Sequence, residues 1–338
     1  MHAGRHYSFR EILSWTRRDI LFFSLLGLLP VLAYLGGLGL PPVPWQPTAL
    51  LGTAVAFMTG FKSNAAYGRL WEGRQIWGAI VNASRSWAVL ARDFLGAGSE
   101  PSMSVPASDA LRRSLTYRHL AWLTALRHQL REPRAWETTG DRRNVEYRQR
   151  TYDIPERCGK LDESLAPYLD PDELAYVLAR KNRATAILSL QSAELRRCVD
   201  ARQLTEIRHV ELAGIVSLLF EQQGKCERIK NFPYPRQFAT LNFIFVCLFL
   251  FMLPFSVLTE FLKLDPVWVP LTAPITLLVA WVFHTMDKIG EASENPFEGG
   301  PNDVPITQLS RVIEIDLRDL AGETDLPPPL QPVHNIVM

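Results

Sequence analysis

The sequence predicts an all-α integral membrane protein with four transmembrane helices per subunit and a helical cytosolic domain. Three long uncharged runs carry this prediction: 20–61, 238–259 and 266–286. A helix needs about 20 apolar residues to cross a bilayer, so each of the last two runs fits one crossing. The alternation of apolar and polar residues that is typical of strands persists nowhere along the chain.

The first uncharged run is too long for one crossing, and the segment "GGLGLPPVPWQP" (36–47) divides it. Proline and glycine interrupt a helix there. The four predicted transmembrane helices therefore lie near 20–38, 48–66, 238–260 and 267–287. A cleaved signal peptide is the alternative for the first span, but the run is longer than a signal core and three further spans follow.

Basic residues near the span ends predict the orientation in the membrane. Four arginines precede the first span: Arg5, Arg10, Arg17 and Arg18. The 36–47 loop has no basic residue, and the 259–267 loop has only Lys263. Both termini and the large middle segment are therefore expected in the cytoplasm, with the spans in the inner membrane of a bacterium. The four cysteines lack short spacings, which argues against disulfides and zinc clusters.

Charge and periodicity divide the chain into four parts. The predicted parts are an N-terminal arm with spans 1 and 2 (1–66), a helical cytosolic domain (67–236), spans 3 and 4 (237–288) and a cytosolic tail (289–338). Helical periodicity in the second part is clearest in Leu111, Leu115, Trp122, Leu126 and Leu130. The tail is rich in proline and is expected to wrap a surface.

One face of the second predicted span has an unusual composition. Leu50, Thr53, Phe57, Phe61, Asn64 and Gly68 share that face, and glycines and alanines surround them. Small residues let membrane helices approach closely. In a narrow ring of such helices, Phe57 and Phe61 would form an apolar constriction. Packing of the two phenylalanines against lipid or a neighbouring span is the alternative that periodicity alone favours.

Three blocks of the sequence follow the pattern of one known family. The first, "FKSNAAYGRLWEGRQIWG" (61–78), matches that pattern at Phe61, Asn64, Tyr67, Arg69, Trp71, Glu72, Arg74, Trp77 and Gly78. The second, "GKCERIKNFPYP" (224–235), matches at Gly224, Glu227, Arg228, Ile229, Pro233 and Pro235. The third, "ENPFEGGPNDVPI" (294–306), matches at Asn295, Pro296, Phe297 and Asp303. With these blocks in family order and four predicted spans between and around them, almost the whole chain resembles the bestrophin family, in particular its prokaryotic branch.

The resemblance implies a homopentamer with one axial pore. Carried over by position, Thr53, Phe57 and Phe61 would line the apolar neck, and Val210 would form the cytosolic aperture. Thr53 stands where the family usually has a bulkier apolar residue, so this ring is expected to be wider and more polar. The implied partners are copies of this chain, membrane lipid and permeant monovalent ions, with no nucleic acid.

The third block departs from the eukaryotic branch, in which an acidic run after N-P-F-G helps to bind calcium. Calcium takes six to eight oxygen ligands. Here only Glu298 and Asp303 supply carboxylates. We therefore expect no tight calcium clasp, no metal and no cofactor, and we expect Asn295, Pro296 and Asp303 to shape a turn.

The resemblance predicts a channel that gives passive flux of monovalent ions, with chloride or other anions favoured. A sodium- or potassium-selective channel of the same fold is the alternative, because Asp287, Glu291 and Glu294 share one face of the last helix. Salt bridges from these acids to the Arg69–Arg85 region are the other explanation of that face. A membrane scaffold without conductance, with the proline-rich tail as its handle, is a further alternative.

An enzyme is not expected. His119, His128 and His209 lie in the cytosolic domain, but neither a metal-binding histidine pair nor a phosphate loop nor a nucleophile motif accompanies them.

Overall fold

The structure is a computed structural model that describes residues 1–95 and 105–338. Its regular structure is helical, and the described residues contain isolated bridges, such as His2 with Ile336, but no β-strand. The α-helices are α1 (Phe9–Leu35), α2 (Trp45–Phe94), α3 (Val105–Arg131), α4 (Arg142–Thr151), α5 (Pro155–Cys158), α6 (Leu161–Leu165), α7 (Pro171–Leu178), α8 (Arg183–Asp200), α9 (Glu206–Asn231), α10 (Arg236–Leu264), α11 (Thr272–Ala292) and α12 (Ile306–Leu320). Short 3₁₀ helices cover Thr138–Gly140 and Pro266–Leu271. The predicted all-α class is confirmed.

The chain folds into two compact units. The membrane unit comprises residues 4–69 and 233–294, and the globular unit comprises residues 1–3, 70–232 and 295–338. Within the described residues, three helical segments are long and apolar enough to cross a membrane: Phe9–Leu35, Arg236–Leu264 and Pro266–Ala292. Helix α2 is not among them, because glycines, threonines and Lys62 dilute its apolar half. Three apolar spans are thus found, and the fourth stays a prediction.

Helix α1 begins with a capping box. The Ser8 side chain accepts a hydrogen bond from the Glu11 amide, and the Glu11 carboxylate accepts one from the Ser8 amide. Further along, α1 packs closely on α11, since a Cβ atom on Gly27 would lie 3.0 Å from the Ala273 Cα. Glycine at this position therefore permits the close helix contact that membrane bundles use.

Helix α2 runs without interruption from Trp45 to Phe94. The loop before it contains Gly37 at a positive φ of 76°, followed by Pro41 and Pro42, which separates α1 from α2 as predicted. The change from apolar to charged sequence at Lys62 therefore occurs inside one continuous helix.

The globular unit has a core of large side chains. Trp77, Trp87 and Trp122 are fully buried in it, together with Leu115 and Leu126 from the periodic stripe of α3. Helix α12 adds its own buried face, which consists of Ile306, Ile313 and Leu317. This helix was not predicted from the sequence. Residues 306–320 do not simply wrap a surface but contribute to the core.

Candidate functional site

The predicted neck residues share the exposed face of α2 in the membrane unit. Phe57 is 65% exposed and Phe61 70% exposed in the single chain, and Thr53 is also exposed. On the other side of the helix, Val55 and Thr59 are buried. The exposed face borders an open groove of about 790 Å³ that extends from Trp45 to Asn64, with Phe249 and Phe283 in its wall.

This exposed face differs from the other exposed faces of the membrane unit. Helices α1 and α10 expose large apolar side chains, namely Leu21, Phe22, Leu25, Leu29, Leu32, Phe243, Leu248 and Phe251. Such faces suit contact with lipid tails. The α2 face instead sets its two phenylalanines among Thr53, Ala56 and Gly60. Small and polar side chains of this kind favour a protein contact or water over lipid.

The buried side of α2 is held closely against α10. A Cβ atom on Gly52 would lie 2.7 Å from the ring of Phe249, so any larger residue would require this ring to move. The Thr48 and Ser256 hydroxyls form a hydrogen bond of 2.6 Å between the same helices. These contacts leave Phe57 and Phe61 on the other side of α2 largely exposed in the single chain.

Lys62 lies in a buried polar cluster of the membrane unit. Its Nζ donates to the Asp287 Oδ1 at 2.8 Å, and the Asn242 Nδ2 donates to the same oxygen at 2.7 Å. All three residues are buried. Although Lys62 directly follows an uncharged run, it is buried, and a carboxylate on α11 pairs with it inside the unit.

The three acids at the end of α11 form no open acidic face in the described chain. Asp287 pairs with Lys62, Glu291 with Lys288 at 2.7 Å, and Glu294 with Arg236. Burial raises the pKa of Glu294. The sequence suggested salt bridges from these acids to the Arg69–Arg85 region, but the partners found are Lys62, Lys288 and Arg236. From that region, Arg69 Nε donates to the Glu294 main-chain oxygen at 2.8 Å.

Val210, the predicted cytosolic aperture, lies on the exposed face of α9 in the globular unit. Its side chain is 68% exposed, and it shares that face with Glu206, Gly214, Ser217 and Glu221. Thr205 caps α9 at its first turn. The opposite face is anchored in the core by Leu212, Val216 and Leu219.

The three family blocks meet in the globular unit. A Cβ atom on Gly73 would lie 3.3 Å from Pro296, Phe297 and Val304 atoms, so the first block packs directly on the third. The Arg228 guanidinium forms a salt bridge with the Glu72 carboxylate, which joins the second block to the first.

The motif acid Glu227 is a hydrogen-bond acceptor for three amide side chains. Its Oε1 accepts from Gln129 and Gln223 at 2.8 Å each and from Asn182 at 2.9 Å. Gln223 in turn accepts from the buried Trp122 indole at 2.9 Å. Glu227 therefore ties α9 to α3 and to the start of α8.

The third block folds into a buried turn. The Asp303 Oδ2 accepts from the main-chain amides of Gly299 and Gly300 at 2.7 and 2.9 Å, and the Pro296 carbonyl accepts from the Val304 amide at 3.1 Å. Phe297 is fully buried beneath the turn, and Asn295 is buried as well.

Both carboxylates of this turn are removed from water. The Glu298 oxygens accept from the Thr138 amide and hydroxyl at 2.9 and 2.7 Å. Burial, reinforced by the neighbouring Asp303, raises the pKa of Glu298 to about 8. Burial also raises the pKa of Asp303, although Arg131 lies 3.6 Å away. Within residues 1–95 and 105–338, no cluster of three or more His, Cys, Asp or Glu side chains could hold a metal ion.

Four motif residues of the first block lie on the outside of α2. Asn64, Tyr67 and Trp71 are exposed, and the Arg74 guanidinium lies 4.0 Å from the Met1 sulfur. Their exposure in the single chain is consistent with contacts made outside it.

His119, one of the three histidines considered for catalysis, is a buried core residue. Its Nε2 lies 2.8 Å from the Ser84 hydroxyl, which itself donates to the Ile80 carbonyl at 2.7 Å. Nε2 must therefore be the donor. The ring lies between Trp87 and Trp122, and burial lowers the pKa of His119 to about 3. It is a neutral packing residue.

Replacing His119 with phenylalanine should reduce the acid sensitivity of the fold. Because the folded-state pKa lies below the ordinary value of about 6.5, the unfolded chain binds the proton first, and stability falls as the pH drops below 6.5 towards 3. At pH 5 the loss is about 2 kcal/mol. The melting temperature of His119→Phe should thus decline less between pH 7 and pH 5 than that of the wild type. His6→Gln, at an exposed histidine, should leave the decline unchanged; an equal decline in His119→Phe would contradict the assignment.

The long apolar helices of the membrane unit are those of a helical membrane protein. The family described as Bacterial/Fungal Bestrophin protein matches residues 10–319. This chain therefore belongs to the bestrophin family, as its three sequence blocks predicted. The prediction that it is not an enzyme is confirmed by the same membership.

Curated relatives cover most of the chain. The Escherichia coli (strain K12) protein named voltage-dependent anion channel-forming protein YneE is 29% identical over 287 residues, which cover 85% of this chain and 80% of the relative. A second voltage-dependent anion channel-forming protein, RSc3414 from Ralstonia nicotianae, is 27% identical over 282 residues. The match covers 83% of this chain and 78% of the relative.

A solved structure has the same fold. The crystal structure of a bacterial bestrophin homologue from Klebsiella pneumoniae matches with a TM-score of 0.73 at 23% identity, covering 90% of this chain and 97% of that one. This similarity supports the helical architecture described above.

Proposed function

We propose that this chain assembles as a homopentamer around an axial pore and conducts monovalent anions such as chloride passively across the bacterial inner membrane. The observation that carries the proposal is the exposed α2 face, on which Thr53, Phe57 and Phe61 lie among small residues. A single chain cannot enclose a pore with one such helix, so copies of the chain must supply the rest. The relatives named as anion channel-forming proteins support this use of the face.

The charges near the proposed neck favour anions over the cation alternative. The neck side chains are uncharged and so cannot select an ion by direct attraction. The acids of α11 that could have attracted cations are paired with Lys62, Lys288 and Arg236. In this arrangement Asp287, Glu291 and Glu294 add no uncompensated negative charge.

The proposed orientation places both termini in the cytoplasm, where Val210 would form a second constriction.

No cofactor takes part. The Glu298 and Asp303 carboxylates already accept hydrogen bonds from protein groups, and their raised pKa values weaken them as calcium ligands. Currents should therefore be the same in millimolar calcium and in a calcium chelator. A current that requires calcium would contradict this part of the proposal.

An efflux assay tests the proposed function. Liposomes loaded with KCl and containing the purified protein are diluted into a chloride-free medium with a potassium ionophore, which balances the charge of leaving chloride. Rapid chloride efflux is expected, while protein-free liposomes should release little. An absence of chloride efflux would contradict the anion channel and leave the cation channel and the scaffold as the alternatives.

A sodium or potassium channel remains the second candidate, and Thr53 is the observation that favours it. The Thr53 hydroxyl donates its proton to the Ala49 carbonyl at 2.9 Å. The oxygen can then only accept, so in a ring of subunits it would present lone pairs, which suit cations.

Thr53→Val should raise the permeability of chloride relative to sodium. Valine has the shape of threonine but lacks the oxygen, so the acceptor ring disappears while the neck width stays similar. We expect a change of about two- to fivefold, corresponding to less than about 1 kcal/mol. Reversal potentials in sodium chloride gradients measure it, with Thr53→Ser as the control that keeps the oxygen. An equal shift in both variants would exclude the hydroxyl as the cause.

A further inference from the structure

The cluster of Lys62, Asn242 and Asp287 joins three helices of the membrane unit. Lys62 belongs to α2, Asn242 to α10 and Asp287 to α11, and both donors reach the same Asp287 Oδ1 at 2.8 and 2.7 Å. Asn242 also accepts from the Thr59 hydroxyl, at 3.4 Å. Helix α2 is thereby bonded to both neighbours, through two side chains one turn apart.

The three side chains of this cluster are almost completely buried. Lys62 is 6% exposed, and Asn242 and Asp287 are each 2% exposed. Ionisable groups inside a membrane unit are costly, and buried ion pairs are seldom retained for stability alone. A pair of fixed geometry can, however, specify one helix register against others.

The cluster lies next to the proposed neck along α2. Lys62 follows Phe61 directly and so points about 100° away from it around the helix, since a helix has 3.6 residues per turn. Nearby, α2 and α11 approach closely, because a Cβ atom on Gly290 would lie 3.1 Å from the Ser63 hydroxyl. With Lys62 and Thr59 bonded on the inner side, the opposite side of α2 must present Phe57 and Phe61 outward.

We propose that Lys62, Asn242 and Asp287 form a latch that fixes the rotation of α2 about its axis and so positions Phe57 and Phe61 on the neck face. These are positioning residues that do not touch the permeating ion. The role in the neck rests on the proposed function, whereas the orientation of α2 can be measured without ion flux.

Cysteine accessibility along α2 tests the latch. Single cysteines are introduced by Thr53→Cys, Val55→Cys and Phe57→Cys after the exposed Cys158 and Cys247 are replaced with serine, and the rate of reaction with a charged methanethiosulfonate is measured. With the latch intact, positions 53 and 57 should react about tenfold or more faster than position 55, because a buried thiol reacts only after local opening. Removing the latch should reduce that ratio at least threefold, as α2 rotates among several orientations.

Three changes to the latch separate positioning from simple charge neutralisation. Asn242→Leu removes one donor without stranding a charge, so the protein should still fold. Lys62→Met/Asp287→Met removes the pair together, which avoids a lone buried charge. Both should flatten the accessibility pattern, whereas Lys62→Arg, which keeps a cationic donor, should preserve it. Lys263→Met, in the exposed pair with Glu260 on α10, serves as the matched control and should change nothing.

An accessibility pattern that stays as in the wild type in both Asn242→Leu and the double variant would overturn the latch. That result would leave the cluster as a neutralised pair with no positioning role. The proposed function would be unaffected by it, since chloride efflux of the unmodified protein is scored separately. Conversely, a flattened pattern in a protein that conducts no ions would support the latch while the channel proposal fails.

Discussion

Replacing Phe57 and Phe61 together with alanine is expected to raise the ion current of the reconstituted protein on the order of tenfold, which corresponds to a barrier lower by about 1.4 kcal/mol. An apolar constriction slows ions because they must shed water within it, and the two aromatic rings are the bulk of the proposed neck. Alanine would widen the neck and let water fill it.

Folding should tolerate this double change, because both phenylalanines are exposed in the single chain and few contacts within it are lost. Single-channel recordings of the double variant measure the effect. Phe22→Ala/Leu25→Ala on the exposed face of α1 removes a similar apolar bulk and is the matched control. If both double variants conduct like the wild type, Phe57 and Phe61 do not line the pore; if both change the current equally, the effect is not specific to the neck.

Gly299→Ala should lower the stability of the globular unit by about 2–4 kcal/mol, the largest loss that we expect from one methyl group in the third block. Gly299 has a positive φ of 92°, which an L-side chain rarely adopts. A Cβ atom there would also lie 2.5 Å from the Ile154 Cδ1 and 3.0 Å from its Cγ1, so the neighbour must move. Moving Ile154 would disturb the hydrogen bond from the Gly299 amide to Asp303.

The melting temperature of the detergent-solubilised protein measures this loss. Gly322→Ala is the matched control, because Gly322 has a similar φ of 80° but open space around its Cβ position. That control should lose only the backbone strain, about 1–2 kcal/mol. Equal melting temperatures for the two alanine variants would show that the contact with Ile154 does not contribute.

The neck face could be predicted from sequence because helical periodicity places Thr53, Phe57 and Phe61 on one side of any uninterrupted helix. Periodicity could not say which side of α2 would be buried. That choice depends on Gly52, which fits the Phe249 ring, and on Thr48, which bonds Ser256. Both contacts join residues about 200 positions apart in the sequence.

The environment of Lys62 could not be predicted in the same way. A lysine at the end of an apolar run ordinarily extends to the interface. Only the fold brings Asp287 and Asn242 to it. One signal was nevertheless present, because a cation at the end of one apolar span and an acid near the end of another are typical of an intramembrane pair.

The three family blocks illustrate a further limit of sequence reasoning. Gly73 lies inside the first block but is not one of its matched positions, and its close contact with Phe297 from the third block is visible only in the structure. Helix α12 was missed because the prolines on both sides of it suggested an extended tail. Its buried Ile306, Ile313 and Leu317 are spaced as one helical face, a pattern that was visible in the sequence.

The most direct test of the central claim is the reversal potential of the purified protein in a planar bilayer under a KCl gradient. We predict a reversal potential close to the chloride equilibrium potential. In Phe57→Ala/Phe61→Ala we predict larger currents with the same preference for anions. A reversal potential close to that of potassium would contradict anion permeation and favour the cation channel. A complete lack of current in both proteins would contradict the channel itself.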